Sequence, residues 1–153
     1  MAFADDAIEV RAQGWRTVAA FHSLIETKLE NALRSSFELS VVEYTVLDVL
    51  SRQDGDLHMR MQQLARATAL STSATTRLVN RLEARGLLAR FLCVDDRRGI
   101  YTELTAAGAA LLELARPTYD TALQSALTEA TAVPELAPLV TAFEGLSAAP
   151  RGT

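Results

Sequence analysis

The chain has 153 residues, 49% of them apolar, a length that supports one well-buried core but not two comfortable domains. One cysteine excludes an internal disulfide framework, and two histidines form no spaced cluster, so neither a metal nor another cofactor is expected. No apolar run approaches the ~18 residues of a membrane span, and the acidic start lacks the regions of a signal peptide, so we expect one cytoplasmic domain over residues 1–153 and no membrane contact.

The net charge of −4 conceals an uneven distribution of charge along the chain. Residues 60–98 contain eight arginines and three acids, a local charge of +5, so the remainder carries −9. A basic segment between acidic ends is typical of a phosphate-binding face on a body that otherwise repels DNA. Chance clustering of arginine is the alternative interpretation.

The first predicted element is a helix over residues 7–35. Its apolar residues recur at steps of three and four, a pattern that packs against other helices, and they are Trp15, Val18, His22, Ile25, Leu29 and Ala32. This stripe is longer than one small core covers, so we predict that part of it meets a second copy of the chain. Trp15 and His22 are interpreted either as core residues or as contacts to a ligand.

A second helix is predicted to begin at the capping box of Ser40 and Glu43 and to run to about Gln53. Turn residues follow at positions 54–56, and residues 57–59 favour a short extended segment. A helix, a turn and a short strand thus precede the basic segment.

The next residues predict a helix-turn-helix. Residues 61–67 form a short third helix, residues 68–70 a three-residue turn, and residues 71–85 an amphipathic fourth helix. Such turns often contain a residue in the left-handed conformation, which would cost Ala69 ~1–2 kcal/mol. A plain helical hairpin inside a bundle is the alternative.

The fourth helix has a polar face that helix formation alone does not explain. Ser and Thr are middling helix formers, costing up to ~0.7 kcal/mol each against Ala, yet they crowd its first turns. Ser71 can cap the helix, but the others need a further reason. Hydroxyls, Asn and Arg let a helix approach a phosphate backbone and reach base edges. We therefore predict a DNA recognition helix with the contacts Ser71, Thr72, Ser73, Thr75, Thr76, Arg77, Asn80 and Arg81.

A β-hairpin is predicted after Gly86, which ends the fourth helix. Residues 87–94 and 100–104 are rich in β-formers and flank a charged turn. Arginines at such a tip can enter the minor groove, so the hairpin is interpreted as a wing with the DNA contacts Asp96, Arg97 and Arg98. A solvated turn, with its arginines paired to acids, is the alternative. Cys93 is assigned to a small apolar slot in the strand, with a redox role as the alternative.

Two further helices are predicted at the C-terminal end. Thr105 can cap a long helix that tolerates Pro117, and a last helix follows Pro134 and runs to about Leu146. The terminal helices leave much apolar surface for a chain of this length, which favours a symmetric dimer. The predicted fold is mainly α with a small β-hairpin wing: a winged helix-turn-helix lobe and dimerisation helices at both ends, with the ranges 40–104, 7–35 and 105–147.

The segment from residue 57 to residue 108 resembles the multiple antibiotic resistance regulator (MarR) family. Residues 77–90, RLVNRLEARGLLAR, look like the end of its recognition helix and the first wing strand, and Asp96 and Arg98 followed by Leu104-Thr105-x-x-Gly108 look like its wing signature. The order of the flanking helices also fits. The resemblance implies a dimeric winged-helix repressor that a small phenolic or other aromatic ligand releases from DNA.

The ligand class of particular members does not transfer from the resemblance. The similar peroxide-sensing members use a cysteine near the start of the first helix, where this chain has Trp15 and no cysteine. Zinc-sensing members need histidine and acidic clusters that the sequence lacks. Urate-responsive members similarly pair a Trp with an Asp early in the second helix, and Thr45 stands at that position here. Our own prediction for the effector contacts is Trp15, His22 and Tyr44.

The leading hypothesis for function is a sequence-specific transcriptional regulator: a ligand-responsive repressor that binds double-stranded DNA as a homodimer on a pseudo-palindromic operator. The alternative is a winged-helix protein-interaction module without DNA binding. An enzyme is not expected, because no acid, base or nucleophile pair stands at a spacing that a helix or turn would bring together.

Overall fold

The computed structural model describes residues 2–53, 58–92 and 99–147. These residues form helices and strands in the order α1 (Ala2–Phe37), α2 (Val41–Ser51), β1 (His58–Arg60), α3 (Met61–Ala67), α4 (Thr72–Ala84), β2 (Leu88–Leu92), β3 (Ile100–Leu104), α5 (Ala106–Thr131) and α6 (Ala137–Ser147). The mainly helical fold class with a small antiparallel sheet is confirmed. The turn predicted at positions 54–56 lies outside the described residues.

Contacts divide the chain into two compact units. The terminal unit comprises residues 1–32 and 119–153, and the central unit comprises residues 33–118. Both α1 and α5 run from one unit into the other. Within the described ranges, none of the helices combines the length and the apolarity that crossing a membrane requires.

The terminal unit packs an apolar core between α1, α5 and α6. Its buried residues are Leu127, Ala130, Leu136 and Val140. Phe21 of α1 meets Phe143 of α6 edge to face, with ring centroids 6.2 Å apart and an interplanar angle of 76°. Edge-to-face contact brings the positive ring edge to the negative ring face and adds to the burial of apolar area. Of the apolar residues of α1 that were predicted to pack, Ile25 lies against this core; Leu24 also does, although it was not among those predicted.

The central unit begins with a sharp turn between α1 and α2. Glu38 adopts a φ of +54°, which costs a non-glycine residue roughly 1–2 kcal/mol. The guanidinium of Arg85 donates to the carbonyl oxygens of Phe37 at 3.2 Å and of Glu38 at 2.8 Å, which holds the turn in place. The predicted capping box is confirmed: Glu43 N–H donates to Ser40 Oγ, and Ser40 N–H donates to Glu43 Oε1, both at 3.0 Å.

An ion-pair network ties the first part of α5 to α2 inside the central unit. Arg116 donates to Asp48 at 2.6 Å and to Ser51 at 3.0 Å on α2, and to Glu113 at 2.9 Å on its own helix. These hydrogen bonds, led by the one to Glu113, raise the pKa of Arg116 above its ordinary value. The start of α5 is thereby attached to the same unit as the helix-turn-helix.

The sheet has the strand order β1-β3-β2, with both pairings antiparallel. Met59 lies opposite Thr102, and Phe91 lies opposite Tyr101. The extended segment predicted at residues 57–59 is the strand β1, one residue later than expected. Its pairing with β3 was not predicted, because the partner strand lies some forty residues further along the chain.

Candidate nucleic-acid interface

The helix-turn-helix follows the predicted boundaries closely. Helix α3 ends at Ala67, as predicted, and Ala69 in the turn has a φ of +56°, the left-handed conformation that such turns often contain. Ser71 caps α4, since its Oγ accepts a hydrogen bond from the N–H of Ala74 at 3.1 Å. Helix α4 therefore begins with exposed residues, and its first N–H groups are partly satisfied by the Ser71 cap.

The outward face of α4 is formed by residues with short or basic side chains, all of them exposed except Thr76, which is half-buried. Leu78, Val79 and Leu82 are buried on the opposite side. The outward face, a name used below for these residues only, comprises Ser71, Thr72, Ser73, Thr76, Arg77, Asn80 and Arg81. Seven of the predicted DNA contacts on this helix therefore share one surface.

Thr75 is the one predicted contact on α4 that needs correction. Its side chain is only 1% exposed, and its hydroxyl donates to the carbonyl oxygen of Ser71 at 2.9 Å. Thr75 precedes Leu78 by three residues and Val79 by four, so helical geometry places all three on the buried side. That spacing was available in the sequence and should have removed Thr75 from the predicted interface.

The arginines of the basic segment divide into two kinds. Arg77 and Arg81 form no ion pair with any residue that the structure describes, so their guanidinium groups remain available to phosphate. Arg85 instead holds the turn at Glu38, and Arg90 pairs with Glu83 at 3.0 Å. The local charge of the segment therefore overstates how many of its arginines are free.

The outer face of the sheet carries a small aromatic stack. The rings of Phe91 and Tyr101 lie 5.7 Å apart with an interplanar angle of 19°. The guanidinium of Arg60 lies 5.6 Å from the centre of the Tyr101 ring, and its Nε donates to the Tyr101 hydroxyl at 3.0 Å. These contacts join all three strands and stiffen the base of the predicted wing.

The tip of the hairpin is the part of the predicted wing that bears the arginines. Asp96, Arg97 and Arg98, together with Cys93, lie outside the described residues. Strands β2 and β3 do pair antiparallel from Leu88 to Leu92, so the hairpin itself is confirmed. Its arginine contacts to DNA stay a prediction.

A junction joins the end of α4 to the start of α5. Gly86 has a φ of +75°, and its N–H and that of Leu87 bond back to Glu83 and Leu82, which ends the helix in a Schellman motif. The hydroxyl of Thr105 donates to the Gly86 carbonyl at 2.7 Å and accepts from the N–H of Gly108 at 3.0 Å. One hydroxyl therefore links the C-terminal cap of α4 to the N-terminal cap of α5.

Gly108 shows why this junction needs a glycine. A Cβ atom at this position would lie 2.2 Å from the Leu87 carbonyl oxygen and 2.8 Å from a methyl carbon of Leu104. The resemblance implied only that these residues belong to a wing signature. In the structure, Thr105 and Gly108 hold the end of α4 against the start of α5, a role that the Thr-x-x-Gly spacing by itself did not reveal.

The predicted effector contacts are divided between the two units. In the terminal unit, Trp15 is 71% exposed, and Nδ1 of His22 lies 3.5 Å from a carboxylate oxygen of Glu26. In the central unit, Tyr44 is 4% exposed. The assignment of these three residues to one effector site stays a prediction.

The fold and the outward face together define the class of protein. A helix-turn-helix with an exposed hydroxyl- and arginine-bearing second helix, followed directly by an antiparallel hairpin, is the arrangement of a winged helix-turn-helix. A family model described as MarR family matches residues 37–99. In sequence and in fold, the chain is therefore similar to MarR family transcriptional regulators.

Individual relatives show the same similarity. PecS, an HTH-type transcriptional regulator of Dickeya dadantii (strain 3937), is 30% identical over 96 residues, which span 63% of this chain but only 57% of PecS. Sco3205 from Streptomyces coelicolor, a MarR family transcriptional regulator solved in complex with DNA, is 26% identical with a TM-score of 0.75 over 90% of this chain and 84% of that one. CouR from Rhodococcus jostii RHA1, solved bound to p-coumaroyl-CoA, is 28% identical with a TM-score of 0.61 over 69% and 71% of the two chains.

Proposed function

We propose that this protein is a ligand-responsive repressor that binds a pseudo-palindromic operator as a homodimer. The observation that carries the proposal is the outward face of α4, where Arg77 and Arg81 stand exposed beside hydroxyl side chains and Asn80. Short side chains allow close approach to the major groove, and an exposed arginine can bind phosphate or the edge of guanine. The DNA complex of Sco3205 supports the same use of this fold.

The homodimer is supported by apolar side chains that the terminal unit leaves exposed. Four of them lie on α1, and a fifth lies near the end of α6: Ile8, Val10, Trp15, Val18 and Leu146. Exposed large apolar residues are expected at protein interfaces, and a second copy of the chain is the partner that closed symmetry favours. Two recognition helices in such a dimer would address half-sites ~10 base pairs apart.

The effector is proposed to be a small phenolic or other aromatic molecule that contacts Trp15, His22 and Tyr44. An aromatic ring and a titratable imidazole suit a planar ligand with a polar group. The bound p-coumaroyl-CoA of CouR, which carries a phenolic acyl group, supports a ligand of this chemistry. Release from DNA requires that the ligand bind the free form of the protein more tightly than the DNA-bound form.

A winged-helix module that binds another protein is the second candidate. The exposed Phe91 and Leu92 on the hairpin favour it, because apolar side chains on a strand are common in protein interfaces. The free arginines of the outward face favour DNA instead.

Selection of bound fragments from genomic DNA separates the two candidates. We expect enrichment of fragments that share a two-fold symmetric sequence and that are retained at moderate salt. A reporter gene placed behind a selected fragment then gives the sign of regulation, with lower expression expected in the presence of the protein. Recovery of fragments without a common sequence would contradict the proposed function.

A further inference from the structure

Glu83 and Arg90 make an unusually complete contact between α4 and β2. Oε1 of Glu83 accepts from one terminal guanidinium nitrogen of Arg90 at 3.0 Å, and Oε2 accepts from Nε at 3.2 Å. The same Oε2 also accepts from the backbone N–H of Arg90 at 3.1 Å. One carboxylate thus holds both the side chain and the main chain of its partner, a planar two-pronged geometry that lysine could not provide.

The position of this pair in the fold allows it to restrain the hairpin relative to α4. Glu83 lies in the last turn of α4 and is the only acidic residue of that helix, and Arg90 lies at the centre of β2 opposite Thr102. Only residues 85–87 connect α4 to β2. The pair therefore spans the short connection between the two elements and restrains rotation of the hairpin about it.

The electrostatics keep the pair charged. Hydrogen bonding from the Arg90 side chain lowers the pKa of Glu83 below its usual value of 4.5, so Glu83 is a carboxylate at neutral pH. Both side chains remain partly exposed, at 38% for Glu83 and 31% for Arg90. An exposed ion pair contributes little to overall stability, so this pair has more scope to orient the hairpin than to hold the fold together.

We propose that Glu83 and Arg90 act as a positioning pair that sets the angle of the wing relative to the recognition helix, and that Arg90 serves DNA binding through Glu83 and not by contacting phosphate. The proposal rests on the proposed function, because it concerns how DNA is bound. It gives an acidic residue beside the outward face a role that favours DNA binding, although its charge alone would repel the phosphate backbone.

Three variants test the proposal against the simpler electrostatic account: Glu83→Ala, Arg90→Ala and the charge exchange Glu83→Arg with Arg90→Glu. We expect each alanine variant to weaken binding to the selected operator by about tenfold, on the scale of one lost specific contact. The charge exchange should recover part of that loss, because the ion pair is restored with its polarity reversed, whereas the bond from the main-chain N–H at position 90 is not, since arginine has no acceptor. The slope of log affinity against log salt should change little in Arg90→Ala.

Direct phosphate contact by Arg90 predicts the opposite pattern. Arg90→Ala would then reduce the salt slope by about one unit per phosphate lost, and the charge exchange would bind no better than Arg90→Ala. Glu83→Ala would bind as well as or better than the unaltered protein, because a nearby negative charge is removed. Any of these three results would overturn the positioning role.

Two controls help to interpret the binding measurements. Glu113→Ala removes an exposed acid that also pairs with an arginine, Arg116, and it should not weaken binding in the way that Glu83→Ala does. Hydroxyl-radical footprints of the alanine variants should lose protection at the wing while contacts of α4 in the major groove persist. If the unaltered protein shows no sequence-specific binding, the proposed function fails; if it binds and Glu83→Ala is unaffected, only the positioning role fails.

Discussion

Arg77 is the residue from which the interface can be probed most directly. It lies on the outward face of α4, is exposed, and has no ion pair with a described residue, so its removal deletes an available cation without breaking an internal contact. We expect Arg77→Ala to weaken operator binding by ~1–3 kcal/mol with little change in the free energy of unfolding.

Arg52→Ala provides the matched control for Arg77. Arg52 is also an exposed arginine of the central unit, but it lies at the end of α2 and pairs with Asp48 at 2.9 Å. Its loss should leave operator affinity almost unchanged. Fluorescence anisotropy with the selected operator measures both variants, and equal affinity of Arg77→Ala and the unaltered protein would remove Arg77 from the interface.

Asp96 and Arg98 allow a prediction from the sequence about the wing tip. The sequence predicts a tight turn here, in which Asp96 is expected to hold Arg98, two residues away, in position, so that Arg98 loses less rotamer freedom on entering the minor groove. Arg98→Ala should reduce the salt slope by about one unit per wing, whereas Asp96→Ala should weaken binding less and leave the slope unchanged. Affinity titrations at several salt concentrations distinguish the two, and tighter binding by Asp96→Ala at every salt would contradict the orienting role.

At the scale of the elements, the junction between α4 and α5 is the part of the fold that tolerates least change. Gly108 packs against the backbone of Leu87, and a backbone atom cannot move aside as a flexible side chain can. We expect Gly108→Ala to destabilise the protein by at least ~1–3 kcal/mol, the usual range for overpacking. Thermal or chemical unfolding measures the change.

Gly145→Ala is the opposite case of the same substitution. No atom lies within 4 Å of a Cβ at Gly145, which is part of α6, so alanine there should stabilise by up to ~1 kcal/mol through helix propensity. If Gly108→Ala lowers the free energy of unfolding and Gly145→Ala raises it, the loss at Gly108 is due to packing at the junction. An unchanged free energy of unfolding for Gly108→Ala would mean that the backbone at Leu87 can move away from the added methyl group.

For the whole molecule, the oligomeric state follows from the exposed apolar residues of the terminal unit. We expect twice the chain mass of 16.6 kDa at micromolar concentration in solution. Trp15→Lys should shift the protein towards monomer, because it places a charge where a partner would bury an indole that the single chain leaves 71% exposed. Light scattering or sedimentation measures the mass of each variant.

Leu92→Lys is a matched control for Trp15→Lys. Leu92 is exposed to a similar degree, at 68%, but lies on the hairpin of the central unit, so its replacement should leave the mass unchanged. A monomeric mass for the unaltered protein, together with full operator affinity, would contradict the homodimer.

The elements that could be predicted closely are those whose signals lie within one turn of a helix. Ser40 and Glu43 marked the start of α2, and Ser71 marked the start of α4, because a capping side chain bonds to an N–H group three residues away. The helical period likewise identified Leu78 and Leu82 as the buried side of α4 and the outward face opposite them. These interactions are local, so the order of residues is enough to specify them.

The tertiary structure alone decided which polar groups are available for function. Arg85 bonds to carbonyl groups 47 and 48 residues away, and Arg60 bonds to Tyr101 at a separation of 41 residues. Gly108 is required by a carbonyl that a different element brings against it. The sequence by itself determined the helix-turn-helix, its capped recognition helix and the hairpin. Its arginines could not be sorted into free and bound before folding, because their partners become neighbours only when the helices and strands pack together.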